Sequence, residues 1–138
     1  MRALIVAHGQ PSDPLPAAAA LDRLALRVAG HLPGWDIRAA TLAEAGRLEA
    51  EALGAPGLVF PLFMAGGWFT GSQIPARLRA AGAVGWRLLP PLGSLPAMQD
   101  LTVRLARGSG AGRILLAAHG SFKSRAPAAI ADQMAVRI

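Results

Sequence analysis

The sequence predicts an α/β fold in which helices cover both faces of a four-stranded parallel sheet, a three-layer α/β/α arrangement. Apolar runs of strand length alternate with longer Ala- and Leu-rich stretches of helical length. The run at residues 57–63 is continuously apolar, as a strand buried on both faces should be. The 138 residues, 53% of them hydrophobic, are enough for one domain with a normal core.

The first half of the chain alternates strands and helices between clear stop signals. A first strand is predicted at residues 2–7, and a helix at residues 15–31 is ended by Pro33 and Gly34. The next predicted elements are a strand at 35–40, a helix at 42–53 and a strand at 57–63.

The second half continues this alternation and then begins it again. Pro75 suits the first turn of a helix, and Ser94 suits a helix N-cap. The predicted elements are a helix at 74–83, a strand at 86–89, a helix at 94–107, a glycine-rich linker at 108–112, a fifth strand at 114–118 and a helix from residue 126 onward.

Two segments of the chain look like copies of each other. When residues 2–27 are laid over residues 113–138 without gaps, Arg, Leu, His, Gly and Pro recur in one register. We therefore divide the chain into a first repeat at 1–107, a linker at 108–112 and the start of a second repeat at 113–138. The final residues lie within an apolar helical pattern that has no C-cap, which favours a truncated, longer protein.

Composition excludes several classes of protein. There is no Cys, so the chain has neither disulfides nor thiolate metal sites, which fits a cytoplasmic protein. No apolar run approaches the roughly 20 residues that span a bilayer, and we expect no membrane partner. The net charge of +6 comes from scattered Arg residues without interleaved aromatic residues, which disfavours nucleic acid and leaves an anionic small molecule as a possible partner.

Each repeat places a histidine and a glycine after its first predicted strand. These pairs are His8-Gly9 and His119-Gly120. In parallel sheets, ligands bind outside the carboxyl ends of the strands, where a histidine can act as a base or a metal ligand. The alternative is a histidine that only hydrogen-bonds a neighbouring loop. His31 is expected to be a solvated residue near a helix end.

The loop after the third predicted strand is a second candidate binding region. Trp68 and Phe69, next to two glycines, would suit a flat hydrophobic ligand, although an apolar loop that closes over the core would look the same. After the second His-Gly pair, Ser121, Lys123 and Arg125 could hold an anion at a helix N-terminus, or could be solvated turn residues.

Three stretches of the sequence carry a family resemblance. They are ALIVAHGQPSDP, LVFPLFMAGGWFTGSQIP and LLPPLGSLPAMQDLTVRLA. They resemble class II chelatases of the CbiX/SirB family, whose pattern is a strand ending in His-Gly-Ser, then PLFL…G.H…DIP, then a strand ending in P.G. The resemblance spans residues 1–107, and residues 113–138 resemble the start of a second copy.

This resemblance implies a chelatase-like fold with a tetrapyrrole in a cleft. The implied reaction inserts cobalt or iron into sirohydrochlorin, whose carboxylate side chains would meet arginines such as Arg77, Arg79 and Arg125. No cofactor is implied beyond the substrate metal ion, Co²⁺ or Fe²⁺. The family has short homodimeric forms and long forms with two fused copies, so a homodimer or a missing C-terminal second copy is expected.

The first repeat departs from the family pattern at the second histidine. Phe69 stands at that position, Gln73 replaces the acidic residue before Ile-Pro, and Gln10 replaces the serine. The second repeat keeps the full His-Gly-Ser form. The expected catalytic and metal-binding residues are His8 and His119, and the expected ligand-binding residues are Gly9, Trp68, Phe69, Gly120 and Ser121.

Two other functions remain open from the sequence. The missing second histidine favours a degenerate, non-catalytic half that binds tetrapyrrole or metal. The His-Gly strand end also resembles histidine phosphatases, but those need an arginine before the histidine, and here Ala7 and Ala118 stand there.

Overall fold

A four-stranded sheet forms the centre of the computed structural model, which describes residues 1–122 and 124–138. Its strands are β1 (Arg2–Ala7), β2 (Asp36–Thr41), β3 (Leu58–Pro61) and β4 (Arg87–Leu88). The strand order is β2-β1-β3-β4, and every pairing is parallel. The predicted parallel sheet is confirmed, and its four carboxyl ends therefore lie at one edge.

Five helices and two short turns complete the described part of the chain. The helices are α1 (Pro14–His31), α2 (Arg47–Glu51), α3 (Ile74–Ala80), α4 (Pro96–Gly108) and α5 (Ala126–Arg137). A π-helical turn at Phe69–Gln73 runs directly into α3, and a 3₁₀ turn at Leu92–Ser94 precedes α4. None of these helices is long and apolar enough to cross a membrane.

The alternation of side chains along β1 divides the core into two layers. Leu4 and Val6 are fully buried on the face that α2 and α3 cover. Ile5 points to the opposite face, where it packs with Leu21 and Ala25 of α1. Because successive side chains of a strand point to opposite faces, one six-residue strand contributes to both cores.

The second helix is shorter than the sequence predicts. It begins at Arg47 rather than at residue 42, because the chain continues alongside β1 after β2 ends. The Leu42 amide donates to the Ala7 carbonyl at 2.9 Å, and the Ala43 amide donates to the His8 carbonyl at 3.0 Å. These bonds leave no room for a helix until Gly46, whose φ of +73° makes the turn.

The expected N-cap at Ser94 is wrong. Ser94 lies inside the 3₁₀ turn and its hydroxyl donates to the Pro91 carbonyl, while α4 starts after Leu95. Pro96 at the first helical position explains the later start, since its ring fixes φ near the helical value and its missing N–H is one that a helix start leaves unpaired.

The fifth strand expected at residues 114–118 is also wrong. This segment has no strand assignment, and Leu115 is 94% exposed. A strand exists only as part of a hydrogen-bonded ladder, and this segment pairs with none of the four described strands. The helix expected after it is confirmed as α5, whose Arg137 side chain binds Asp100 and Gln99 of α4.

The loops after β3 and β4 touch closely at Gly93. The Gly93 amide donates to the Phe63 carbonyl at 3.0 Å, and a Cβ at position 93 would overlap the carbonyl group of Met64. A glycine is therefore required there, and it ties the 3₁₀ turn to the loop that follows β3.

Candidate functional site

A cavity of about 630 Å³ opens beside the carboxyl edge of the sheet. One wall is the loop that follows β3, and the other is the segment that leads into α5. Its lining residues are Phe63, Met64, Ala65, Gly66, Gly67, Trp68, Phe69, Thr70, His119, Gly120, Ser121, Phe122, Ser124 and Pro127. Residues 63–70 and residues 119–122, 124 and 127 thus face the same space.

Phe69 is the centre of an aromatic cluster at this edge. Its ring lies 4.5 Å from the His8 ring in an edge-to-face arrangement, 5.0 Å from Trp68 and 6.0 Å from Phe63, measured between ring centroids. Rings at these separations attract one another and hold each other in place. Phe69 therefore contacts both His8 and Trp68, the two other residues that the sequence singled out at this edge.

His8 is exposed at the end of β1 and its ring has a defined hydrogen bond. The ring nitrogen Nδ1 lies 2.9 Å from the Gly9 carbonyl oxygen. Because a carbonyl oxygen only accepts, Nδ1 is the nitrogen that donates in this contact, and Nε2 is the other ring nitrogen. His8 itself does not line the cavity; Phe69 contacts both His8 and the cavity.

Gly9 fixes the turn that follows His8. Its φ is +76°, and a Cβ there would lie 2.7 Å from Thr41 Cβ. Both features exclude any larger residue without a shift of the backbone. Gly9 therefore shapes the backbone after β1 rather than the wall of the cavity, which differs from its expected role in ligand binding.

His119 reaches the cavity without a strand behind it. It is exposed, and it lines the cavity together with Gly120 and Ser121. Its expected position at the carboxyl end of a strand is wrong because no fifth strand forms, but the expectation that it faces a cleft is confirmed. Lys123, the suggested anion-binding residue, lies outside the described residues.

Among the described residues, no group of three or more His, Cys, Asp or Glu side chains is placed to hold a metal ion. His119 stands in the cavity with glycine, serine and apolar neighbours, and His8 faces Phe69. One imidazole is a weak metal ligand by itself, since stable sites use several protein ligands.

A solved structure described as CbiX, the terminal enzyme for biosynthesis of siroheme in denitrifying bacteria, matches 99% of this chain with 44% sequence identity and a TM-score of 0.89. The chain belongs to the CbiX family. It spans 63% of the length of that CbiX chain.

A second solved structure, described as a cobalamin (vitamin B12) biosynthesis CbiX protein from Marinobacter aquaeolei VT8, shares the fold. Its TM-score is 0.59 at 22% identity, over 79% of this chain and 95% of the other. No protein-family model and no curated protein matches this CbiX-family chain.

Arg77 of this CbiX-family chain is not available to a substrate carboxylate. Its guanidinium binds both carboxylate oxygens of Glu49, at 2.5 and 2.7 Å, and also donates to the Leu42 carbonyl at 3.1 Å. The pairing lowers the pKa of the Glu49 carboxyl and raises that of Arg77. Arg77 joins α3 to α2 and is a structural residue.

Sequence reasoning missed two polar residues at the cavity of this CbiX-family chain. Thr70 is 7% exposed and hydrogen-bonds Gly67, and the Ser124 hydroxyl donates to the Gly66 carbonyl at 3.5 Å. Both side chains hold the turn at Gly66 and Gly67 in the loop that follows β3, which we call the aromatic loop because Trp68 and Phe69 come next in it. Thr70 is visible in the sequence three residues after Gly67, a spacing at which a side chain can reach back to the backbone at a helix start.

Proposed function

We propose that this CbiX-family chain takes part in the insertion of a divalent metal ion, Co²⁺ or Fe²⁺, into sirohydrochlorin during sirohaem or cobalamin biosynthesis. The observation that supports it is one cavity of about 630 Å³ in which Trp68, Phe69 and His119 share the walls. A flat macrocycle needs an apolar wall for its ring, and the incoming ion needs a ligand on the same space. The metal is a substrate here, and no other cofactor is proposed.

The two walls have different tasks in this proposal. The loop that follows β3 receives the macrocycle, because Trp68 and Phe69 present the faces of their aromatic rings there. Trp68 is 46% exposed and is therefore accessible to a ligand. His119 offers an imidazole nitrogen to the metal. Gly120 beside it adds no side chain, so the backbone can approach the substrate, and the Ser121 hydroxyl adds a polar group at the same wall.

Chelation also requires that two pyrrole protons leave the macrocycle. A histidine can accept a proton near neutral pH, and we assign this task to His119, the histidine that lines the cavity. In this proposal, neither the binding of the metal ion nor the removal of the pyrrole protons uses a bound cofactor.

A complete metal site needs more ligands than the described residues supply. Among the residues that the structure describes, His119 belongs to no group of three or more His, Cys, Asp or Glu side chains that could hold an ion. We therefore propose that a second copy of the fold, fused or in a homodimer, contributes the remaining ligands. Arg125 precedes α5 beside the cavity residue Ser124 and is exposed, so it is the proposed partner of a substrate carboxylate, with Arg79 as a second candidate.

A second candidate function is binding without insertion. Phe69 stands where the resemblance places the family's second histidine, and it packs edge-to-face against His8, which leaves the first repeat with an aromatic wall and one imidazole. Such a half could hold the tetrapyrrole or support another copy without catalysing the reaction.

The test combines a binding titration with an insertion assay. Sirohydrochlorin is added to the chain with and without Co²⁺, and the absorbance of the macrocycle is followed for wild type, His119→Ala and the control His31→Ala. We expect wild type and His31→Ala to agree, and His119→Ala to slow insertion by about 100-fold or more. Binding without insertion by a chain that sedimentation shows to be dimeric would support the second candidate, and the absence of binding would contradict both.

A further inference from the structure

Thr70 is one of two polar side chains buried in the described interior of the protein. The described core is otherwise apolar except for Thr41, and Thr70 is 7% exposed at the start of the π-helical turn. π-Helical turns are rare and recur at functional sites. A buried hydroxyl in this place must find partners, since burial without a hydrogen bond is costly.

The Thr70 hydroxyl binds both backbone groups of Gly67. It accepts a hydrogen bond from the Gly67 amide at 3.0 Å and donates one to the Gly67 carbonyl at 3.2 Å. The same carbonyl also accepts from the Gly71 amide at 2.7 Å. One side chain therefore satisfies an amide that would have no partner at a helix start, and it fixes the peptide groups on both sides of Gly67.

The residues that Thr70 fixes come directly before the aromatic wall. Gly66 and Gly67 leave the turn with little intrinsic stiffness, because glycine has a wider choice of backbone conformations than other residues. Trp68 and Phe69 follow at once, and their directions depend on the backbone of Gly67. Without the side-chain bonds, the aromatic rings would sample several directions at the cavity mouth.

We propose that Thr70 is a positioning residue that sets Trp68 and Phe69 in the orientation that receives the macrocycle. The identity of the ligand in this inference rests on the proposed function. The ordering of the turn by Thr70 does not depend on that function. Thr70 lines the cavity by its place in the turn, and its hydroxyl is already paired with Gly67. Its contribution is preorganisation of the wall, since a ligand then need not order the loop on binding.

The test compares Thr70→Val, which keeps the shape and removes the hydroxyl, with Thr70→Ser, which keeps the hydroxyl. We expect Thr70→Val to weaken sirohydrochlorin binding by about tenfold, the effect of one or two lost hydrogen bonds, and Thr70→Ser to stay within about twofold of wild type. Thr102→Val is the matched control, because that hydroxyl donates to Met98 within α4. Thr70→Ala gives the same contrast if Thr70→Val is unstable.

A second measurement separates positioning from general stability. Hydrogen exchange at the Gly67 amide should be much faster in Thr70→Val than in wild type, whereas amides of β1 should exchange as before. Unchanged exchange at Gly67, or equal binding by the Val and Ser variants, would overturn the role of Thr70. If wild type binds no sirohydrochlorin, the proposed function fails, and the exchange experiment still decides whether Thr70 orders the turn.

Discussion

At the scale of single residues, Phe69 is the side chain whose replacement by histidine would add a second imidazole beside His8. We predict that Phe69→His creates a two-imidazole site, because the ring at position 69 lies 4.5 Å from that of His8, whose Nε2 is not the nitrogen that contacts Gly9. The affinity for Co²⁺ should rise by about tenfold or more, equivalent to about 1.4 kcal/mol. Visible absorbance during a Co²⁺ titration measures it.

The control for this prediction is His8→Ala in the Phe69→His background. It removes the proposed second imidazole and should return the affinity to that of wild type. An affinity that stays high in the double variant would show that the new histidine binds the ion with some other group.

Gly9 offers a prediction about the backbone that presents His8. Gly9→Ala should destabilise the fold more than Gly34→Ala, by about 1–3 kcal/mol. Both residues have a positive φ, +76° and +80°, but a Cβ at position 9 meets Thr41 and one at position 34 meets nothing. Urea unfolding of the two variants measures the difference, and equal losses would mean that the Thr41 contact relaxes without cost.

Thr70 shows where sequence analysis fails at this scale. The pair Trp68 and Phe69 next to it is conspicuous, because a Trp and a Phe beside glycines in a loop suggest a binding surface. A threonine does not stand out in the sequence in the same way, because what its hydroxyl does depends on which backbone amide and carbonyl groups the fold brings within hydrogen-bond distance. That depends on the π-helical turn, which no local pattern in the sequence indicates.

At the scale of elements, the four strands of the sheet and all five helices were predicted, whereas the expected fifth strand and the early start of α2 were wrong. The bounds of β1 were predicted in full, because its branched apolar run ends abruptly at His8. The start of α2 was predicted too early, because the bonds of Leu42 and Ala43 to β1 depend on the pairing of strands that are distant in sequence. Tertiary hydrogen bonds of this kind override local helical preference.

The pair between Glu49 and Arg77 gives α2 and α3 a pH-dependent link. Because the hydrogen bond from Arg77 lowers the pKa of Glu49 in the folded state, the pair stabilises the fold fully above the ordinary value of 4.5. Its contribution is lost as the pH falls through the lowered pKa. Glu49→Gln should therefore reduce the free energy of unfolding at pH 7 and reduce its fall on acidification.

Unfolding curves at several pH values check this, with Asp132→Asn as the control for loss of a surface carboxylate, since Asp132 is exposed on α5. If Glu49→Gln leaves both the stability at pH 7 and its acid dependence unchanged, the ion pair contributes nothing measurable, as many solvated pairs do.

At the scale of the whole molecule, the segment at residues 109–122 leaves apolar surface in contact with water. Leu115 is 94% exposed and Phe122 is fully exposed. We predict that the chain associates as its concentration rises, and that Leu115→Lys shifts it toward the monomer, because burying one leucine side chain is worth about 1.5–3 kcal/mol. Sedimentation velocity over a range of concentrations measures this.

The control is Leu105→Lys, a change on α4 at a side chain that is 68% exposed. It should leave the association unchanged. A monomer at every concentration in wild type would contradict the prediction, and an equal response to both lysine substitutions would show a general effect of charge.

The segment at 113–118 also explains why the fold could be predicted only in part. Its residues resemble those of β1, and β1 is the best predicted strand. β1 is a strand because β2 and β3 pair with it on either side, and the described chain gives residues 113–118 no such neighbours. Strand propensity is a property of the context as much as of the sequence.

The close approach of Gly93 to Met64 has a consequence for laboratory evolution of the binding loop. The groups that a side chain at position 93 would strike are backbone atoms of Met64, and the Met64 side chain is 56% exposed. A library that randomises residues 64, 68 and 69 to accept other macrocycles should therefore tolerate many residue types at 64. If position 93 is also varied, the fraction of folded variants should fall sharply. Substitutions should therefore be confined to the loop that follows β3, and Gly93 should be kept.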